Sequence, residues 1–358
     1  MADGDGLSPA QLRSLDRLRG LAMLLVVTGH CFVVAGVRVD SLPERILGNL
    51  LVGGTFLFVF LSGFLFHHRT LDRFHYRRFL ASKTLRLLVP YLVLSAIPIH
   101  RAVAAPDGAW DGFFLPTSSD LLGTWVIPVA KYLATGRALI AYWFVPYAIL
   151  NLFCAPVHAW FARSREPVRM AVFLISLVVA MAIRKPVGDI GPLQHLFYFL
   201  PAYLAGILAS IHRDRLLAAL SGKVLLPMLG AFALAVAQGL QLPGDRFGNY
   251  HGHPFQAGPL DLMLPQKLLM CLALLSILDR RGPPGGEILE TLARRSLPIY
   301  FLHPPILLAL EALGLPFASL RGWVALPLVV VAVVGSCLAI SGFARSLPWK
   351  WAGRLVGA

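Results

Sequence analysis

The chain has 358 residues, of which 57% are hydrophobic and only 14% charged, with a mean hydropathy of +0.70. That is too little charge to cover a soluble globule of this size, so the composition marks a polytopic membrane protein. The formal net charge of +14 reads as a topology signal, and nucleic acid is not expected as a partner.

Ten spans are predicted, at about 18–37, 47–66, 85–103, 138–160, 168–184, 193–211, 223–241, 260–279, 296–314 and 323–345. Each holds close to the ~20 residues that cross a hydrocarbon core about 30 Å thick. With both termini cytoplasmic, roughly two thirds of the 32 Lys and Arg fall on inside segments, as the positive-inside rule asks. The expected fold is thus an all-α helix bundle in one membrane domain over 1–358, with short cytoplasmic tails at 1–14 and 346–358. The acidic start Met1-Ala2-Asp3-Gly4-Asp5 does not read as a cleavable signal peptide. Cys31, Cys154, Cys271 and Cys337 fall singly in predicted spans, so neither a disulfide framework nor a metal site is expected of them. No metal and no resident cofactor are expected.

The first span opens Leu15-Asp16-Arg17-Leu18-Arg19-Gly20 and sinks His30 into an otherwise apolar run. Eleven residues separate Arg19 from His30, three turns plus about 20°, so both share one helix face some 16 Å apart along the axis. With Arg19 at the membrane surface, His30 lies near the middle of the hydrocarbon. Ionisable groups at that depth are costly and point to function. Asp16 stands one turn outside Arg19, in reach of an i,i+3 pair that would orient it.

The second span carries Gly53, Gly54 and Gly63, read as close helix packing, and Ser62, whose hydroxyl either binds a ligand or bonds back to its own helix. The cytoplasmic connection that follows, residues 67–86, is strongly basic. Arg78, Lys83 and Arg86 recur at helical spacing near one side of the third helix, beside Arg77. That arrangement suits either anionic lipid or a polyanionic donor, with arginine forks on phosphate oxygens and lysine as a point charge.

The stretch 121–134, broken by Pro128 and interrupted by Lys131, reads as an interfacial or re-entrant piece outside. In the fourth span Tyr142-Trp143-Phe144-Val145-Pro146-Tyr147 either forms an interfacial belt or lines a pocket. The outside loops 104–137 (with Trp110 and Asp111) and 242–259 (with His251 and His253) hold aromatic, amide and imidazole groups. These either bind a sugar-like acceptor or form ordinary turns. In the ninth span Tyr300 and His303 share a face, and Pro298, Pro304 and Pro305 imply a broken helix whose freed carbonyls protein or water must satisfy. No repeat of 20–50 residues is visible, which weighs against a transporter.

Assembled in order, these segments resemble the acyltransferase 3 family of integral-membrane acyltransferases. The resemblance rests on Leu15-Asp16-Arg17-Leu18-Arg19-Gly20 with His30, on Gly53-Gly54-Thr55 through Ser62-Gly63-Phe64, and on Arg78, Lys83, Arg86 and Pro90-Tyr91. It continues with Trp143-Phe144 and ends on Ile299-Tyr300-Phe301-Leu302-His303-Pro304. It implies essential roles for Arg19 and His30, and a basic motif at Lys83 and Arg86. Arg17 stands where the family usually has a small residue, and Lys83 where the motif often has arginine.

The resemblance implies a protein of the cell inner (plasma) membrane that moves an acyl group, acetyl first, from acyl-CoA to a hydroxyl of a glycan or a secreted small molecule. Arg19, Arg77, Arg78, Lys83 and Arg86 would hold the donor's nucleotide end, and His30 would act as base. Asp16, Ser62, Trp143, Tyr300 and His303 would support the site or line the substrate pocket, with membrane lipid as surroundings. The competing reading is an exporter of a lipid-linked glycan, its polar intramembrane residues lining a path.

Overall fold

The computed structural model describes residues 9–105, 112–241, 248, 250–256, 260–280, 285–313, 322–349 and 351–358. Trp110, Asp111 and most of the 242–259 loop lie outside them. Among the described residues the chain is 79% helix without a strand, its one β-bridge pairing Lys185 with His251.

The helices run α1 (Pro9–Val34), α2 (Leu42–Leu51), α3 (Gly54–Leu65), α4 (Tyr76–Ala104), α5 (Ile127–Thr135), α6 (Phe144–Phe153), α7 (Ala155–Arg163) and α8 (Glu166–Ile183). They continue as α9 (Pro192–Ile211), α10 (Arg213–Leu220), α11 (Leu225–Gln241), α12 (Met263–Arg280), α13 (Gly286–Arg294), α14 (Ser296–Ala312), α15 (Ala325–Ser346) and α16 (Ala352–Leu355). Six stretches are long and apolar enough to cross a membrane, or eight when α6 with α7 and α10 with α11 each count as one bent span. This is a multi-pass membrane protein. Helices α12 and α14 occupy two further predicted spans, the latter only 17 residues long. Large apolar side chains turned outward, such as Ile97, Val178, Leu226 and Val331, give the bundle a lipid-compatible exterior.

The second predicted span is broken. Ser41 opens α2 with a reciprocal capping box to Glu44, and the helix stops at Leu51. Gly53 then turns the chain at φ 80°, a left-handed conformation that favours glycine, and α3 restarts at Gly54. The carbonyls exposed at the break are satisfied from α12. The buried Lys267 ammonium donates to Asn49 O at 2.9 Å and Leu50 O at 3.0 Å, and Gln266 adds a bond to Asn49 O at 3.1 Å. Beyond the break, small residues bring helices together. A Cβ at Gly63 would overlap the Tyr203 carbonyl of α9, and one at Gly206 the Phe60 carbonyl of α3. Gly20 approaches Leu289 of α13 just as closely. This is the close packing that small residues permit in membrane bundles.

Helix α14 corrects the expectation of a break at its prolines: it runs unbroken from Ser296 to Ala312. Pro298 sits in the first turn, where no N–H is needed. Pro305 removes the partner of the Phe301 carbonyl four residues back, and the Tyr142 hydroxyl replaces it, donating to Phe301 O at 2.7 Å. The His303 ring bonds to Ile299 O at 3.0 Å. A tyrosine hydroxyl from the turn before α6 thus stands in for a bond that proline removes.

Candidate active site

Helix α1 is continuous through both of its functional candidates, so Arg19 and His30 stand on one rod, about 16 Å apart along it. Around that rod three cavities meet end to end.

The first is a basic chamber of about 460 Å³ beside the Arg19 end of α1. Its cations are Arg19, Arg69, Lys83 and Arg86. Arg19 pairs with Asp16 at 3.4 Å, the i,i+3 contact foreseen from spacing. Arg69, Lys83 and Arg86 have no ion-pair partner among the described residues. The π-turn over Phe66–Thr70 carries Arg69 to the chamber, and the first turns of α4 present Lys83 and Arg86. Arg77 and Arg78 are exposed on the first turn of α4 and do not line it. Ser62 lines the chamber, although its hydroxyl donates to Phe58 O at 2.8 Å in its own helix.

The second is an apolar neck of about 120 Å³ that shares Leu87, Phe144, Ser296 and Leu297 with the chamber. His30, Thr55, Trp143 and Tyr300 line it. The Tyr300 hydroxyl donates to Ala141 O at 2.7 Å, fixing a residue held at φ 71° in the turn that precedes α6. His303 stands fully buried behind His30, ring centroids 5.5 Å apart and planes inclined by 29°. Because the Ile299 carbonyl can only accept, the His303 proton sits on Nδ1, which leaves Nε2 as an acceptor. His30 makes no hydrogen bond among the described residues, so its ring is available to whatever occupies the neck.

The third cavity, about 350 Å³, opens from the neck through Val26, His30, Thr55, Ala141 and Trp143. Arg137, Lys185, Asp189 and His251 line its polar side. Lys185 pairs with Asp189 at 2.8 Å, and its ammonium lies 4.6 Å from the Trp143 ring centroid. His195 bonds the same carboxylate at 3.0 Å and stacks on Trp143 at 4.2 Å. Burial works to raise the Asp189 carboxyl, but the charge of Lys185 and the hydrogen bond from His195 outweigh it and hold the group well below the usual carboxylate range. At neutral pH Asp189 is a carboxylate.

The structure therefore gathers Arg19, Ser62, Lys83 and Arg86 at one chamber, places His30, Trp143 and Tyr300 in the neck, and sets His303 directly behind. Sequence reasoning did not single out Arg69, Arg137, Lys185, Asp189 or His195, and named Thr55 only within a motif. A charged Arg184-Lys185-Pro186-Val187-Gly188-Asp189 connection between two apolar helices was the available signal. Among the described residues no group of three or more His, Cys, Asp or Glu is placed to hold a metal ion. Cys31, beside His30, is a buried free thiol.

A membrane bundle whose adjoining cavities are cationic at one end and lined by an imidazole at the narrowest has the layout that group transfer inside a membrane would use. A family model for the acyltransferase 3 group, described as an acyltransferase domain, matches residues 12–342, and the chain belongs to that family. No curated protein and no solved structure matches it.

Proposed function

We propose that the protein is an O-acyltransferase of the cell inner (plasma) membrane, taking an acyl group, acetyl first, from acyl-CoA to a hydroxyl of a cell-envelope or extracellular polysaccharide or related glycan. In this reading the bundle crosses the membrane ten times with both termini cytoplasmic, and the basic chamber faces the cytoplasm. The observation that carries it is the path itself: uncompensated cations lead to a neck lined by His30, and the neck leads on to a second polar chamber.

Arg19, Arg69, Lys83 and Arg86 would bind the phosphates of the nucleotide end, where charge-assisted bonds are strongest. The slender pantetheine arm would follow the apolar neck and bring its thioester to His30. There the neutral imidazole takes the proton of the acceptor hydroxyl while the oxygen attacks the thioester carbon. The C–S bond then breaks, the ester forms, and the proton passes from the imidazolium to the departing thiolate, leaving free CoA. Acyl-CoA is a co-substrate, and the chemistry needs no resident cofactor. Tyr300 and His303 fix the walls around His30.

Binding of radiolabelled acetyl-CoA to detergent-purified protein tests the donor side. Wild type is expected to bind, and Arg19→Ala to bind at least about tenfold more weakly, the scale of one lost charge-assisted contact. A well-folded wild type that neither binds nor hydrolyses acetyl-CoA moves the weight to an exporter of a lipid-linked glycan.

A further inference from the structure

The chamber beyond His30 is too constrained to be a packing gap. In the connection that carries its Lys185 and Asp189, Arg184 holds φ 62°, Gly188 φ 62° and Asp189 φ 58°. A non-glycine residue in such a conformation is strained and persists only where its surroundings enforce it. Here they do. The Gln194 amide donates to Ile183 O at 2.9 Å, Arg184 O at 3.2 Å and Gly252 O at 2.9 Å. Gly252 N donates to Lys185 O at 2.9 Å, and the His251 ring bonds Pro186 O at 2.7 Å. Two connections far apart in sequence are thus braced against one another.

What the bracing delivers is one carboxylate and one ammonium at the open side of the neck. Lys185 and His195 both donate to Asp189 Oδ1. Asp189 Oδ2 has no hydrogen-bond partner among the described residues, although the residue lines the chamber. His195 is fully buried and packs against both Trp143 and Phe199, which locks the carboxylate from behind. Residues held this firmly by a second layer of contacts are the mark of a preorganised site.

We propose that Lys185 and Asp189 dock the acceptor, and that the acceptor is an uncharged, hydroxyl-rich molecule, a polyol or neutral glycan. Asp189 Oδ2 accepts from one hydroxyl and Lys185 Nζ donates to its neighbour. A third hydroxyl then reaches His30, which lines the same chamber. An acceptor and a donor side by side match adjacent hydroxyls, each of which both donates and accepts. Arg137 adds a second cation to the same polar side, but a carboxylate or phosphate ligand drawn to it would still meet the ionised Asp189. This rests on the acyl-transfer reading above and adds the residues and the charge class of the second substrate.

The test measures transfer from radiolabelled acetyl-CoA to maltose, a neutral disaccharide, and to glucuronic acid and glucose 6-phosphate as anionic arms. Wild type is expected to acetylate maltose in preference to both anions. In Asp189→Asn the KM for maltose is expected to rise at least about tenfold, while the Kd for acetyl-CoA stays within about twofold of wild type. Lys185→Met serves as the second variant should the first not fold, with the same split expected. An unchanged maltose KM in both variants overturns the assignment. So does preference for an anionic arm, or acetyl-CoA hydrolysis without transfer to maltose. A wild type that does not bind acetyl-CoA removes instead the acyl-transfer reading on which the proposal stands.

Discussion

The two chambers that flank His30 are built on opposite plans. In the basic one Arg69, Lys83 and Arg86 stand exposed, without ion-pair partners among the described residues, on a π-turn and a helix start. In the far one Lys185 is buried, paired with Asp189, backed by His195 and tied down by Gln194 and Gly252. The difference teaches what each end has to recognise. Clustered cations without counterions repel one another and are relieved by a polyanion of almost any orientation. A charge-balanced, braced pair gains nothing from bulk charge and discriminates by where hydrogen bonds fall.

The comparison breaks first at its hinge. His30→Ala is expected to lower acyl transfer by about a hundred- to ten-thousandfold while leaving acetyl-CoA binding intact, because it removes the base and none of the cations. Transfer at the normal rate by a folded His30→Ala protein would remove His30 from the chemistry. Next in size is the charge contrast itself. Arg86→Ala should weaken donor binding about tenfold. In wild type, raising ionic strength from about 0.05 to about 0.5 M should raise the donor KM and leave the acceptor KM nearly still. Equal salt sensitivity at both ends would erase the distinction drawn here. Smallest is Tyr142→Phe, which leaves the Phe301 carbonyl without its replacement partner. It should cost about 1 kcal/mol, read as a lower thermal midpoint in detergent, with both substrate affinities retained.

The donor half of this path was legible in the sequence, because its geometry is local. Arg19 and His30 lie on one helix, and helical spacing alone puts them on one face. Lys83 and Arg86 belong to a basic run whose position at the start of α4 follows from where hydropathy rises. Arg77 and Arg78 belong to the same run, and only the roll of that helix separates them from the chamber. The far half was not legible, because its contacts are long-range. The Gln194 amide reaches a carbonyl at Gly252, 58 residues away, and the loop shape depends on positive φ at Arg184, a residue no rule marks for it. The unbroken α14 hides in the same way: Tyr142 and Phe301 are 159 residues apart, and prolines read without that hydroxyl signal a break. The broken span at Gly53 was masked by its own hydropathy, because an apolar window of 18 residues lies within Leu42–Arg73 all the same.

That break bears on how the chain is made. Lys267 lies in a segment read as a span, and a lysine entering hydrocarbon alone costs up to about 3 kcal/mol. Its acceptors, the carbonyls of Asn49 and Leu50, stand 218 and 217 residues earlier. Synthesis from the amino end therefore has the receptor for this charge in place before the charge emerges. Delivered in the reverse order, α12 would meet the bilayer with its ammonium bare.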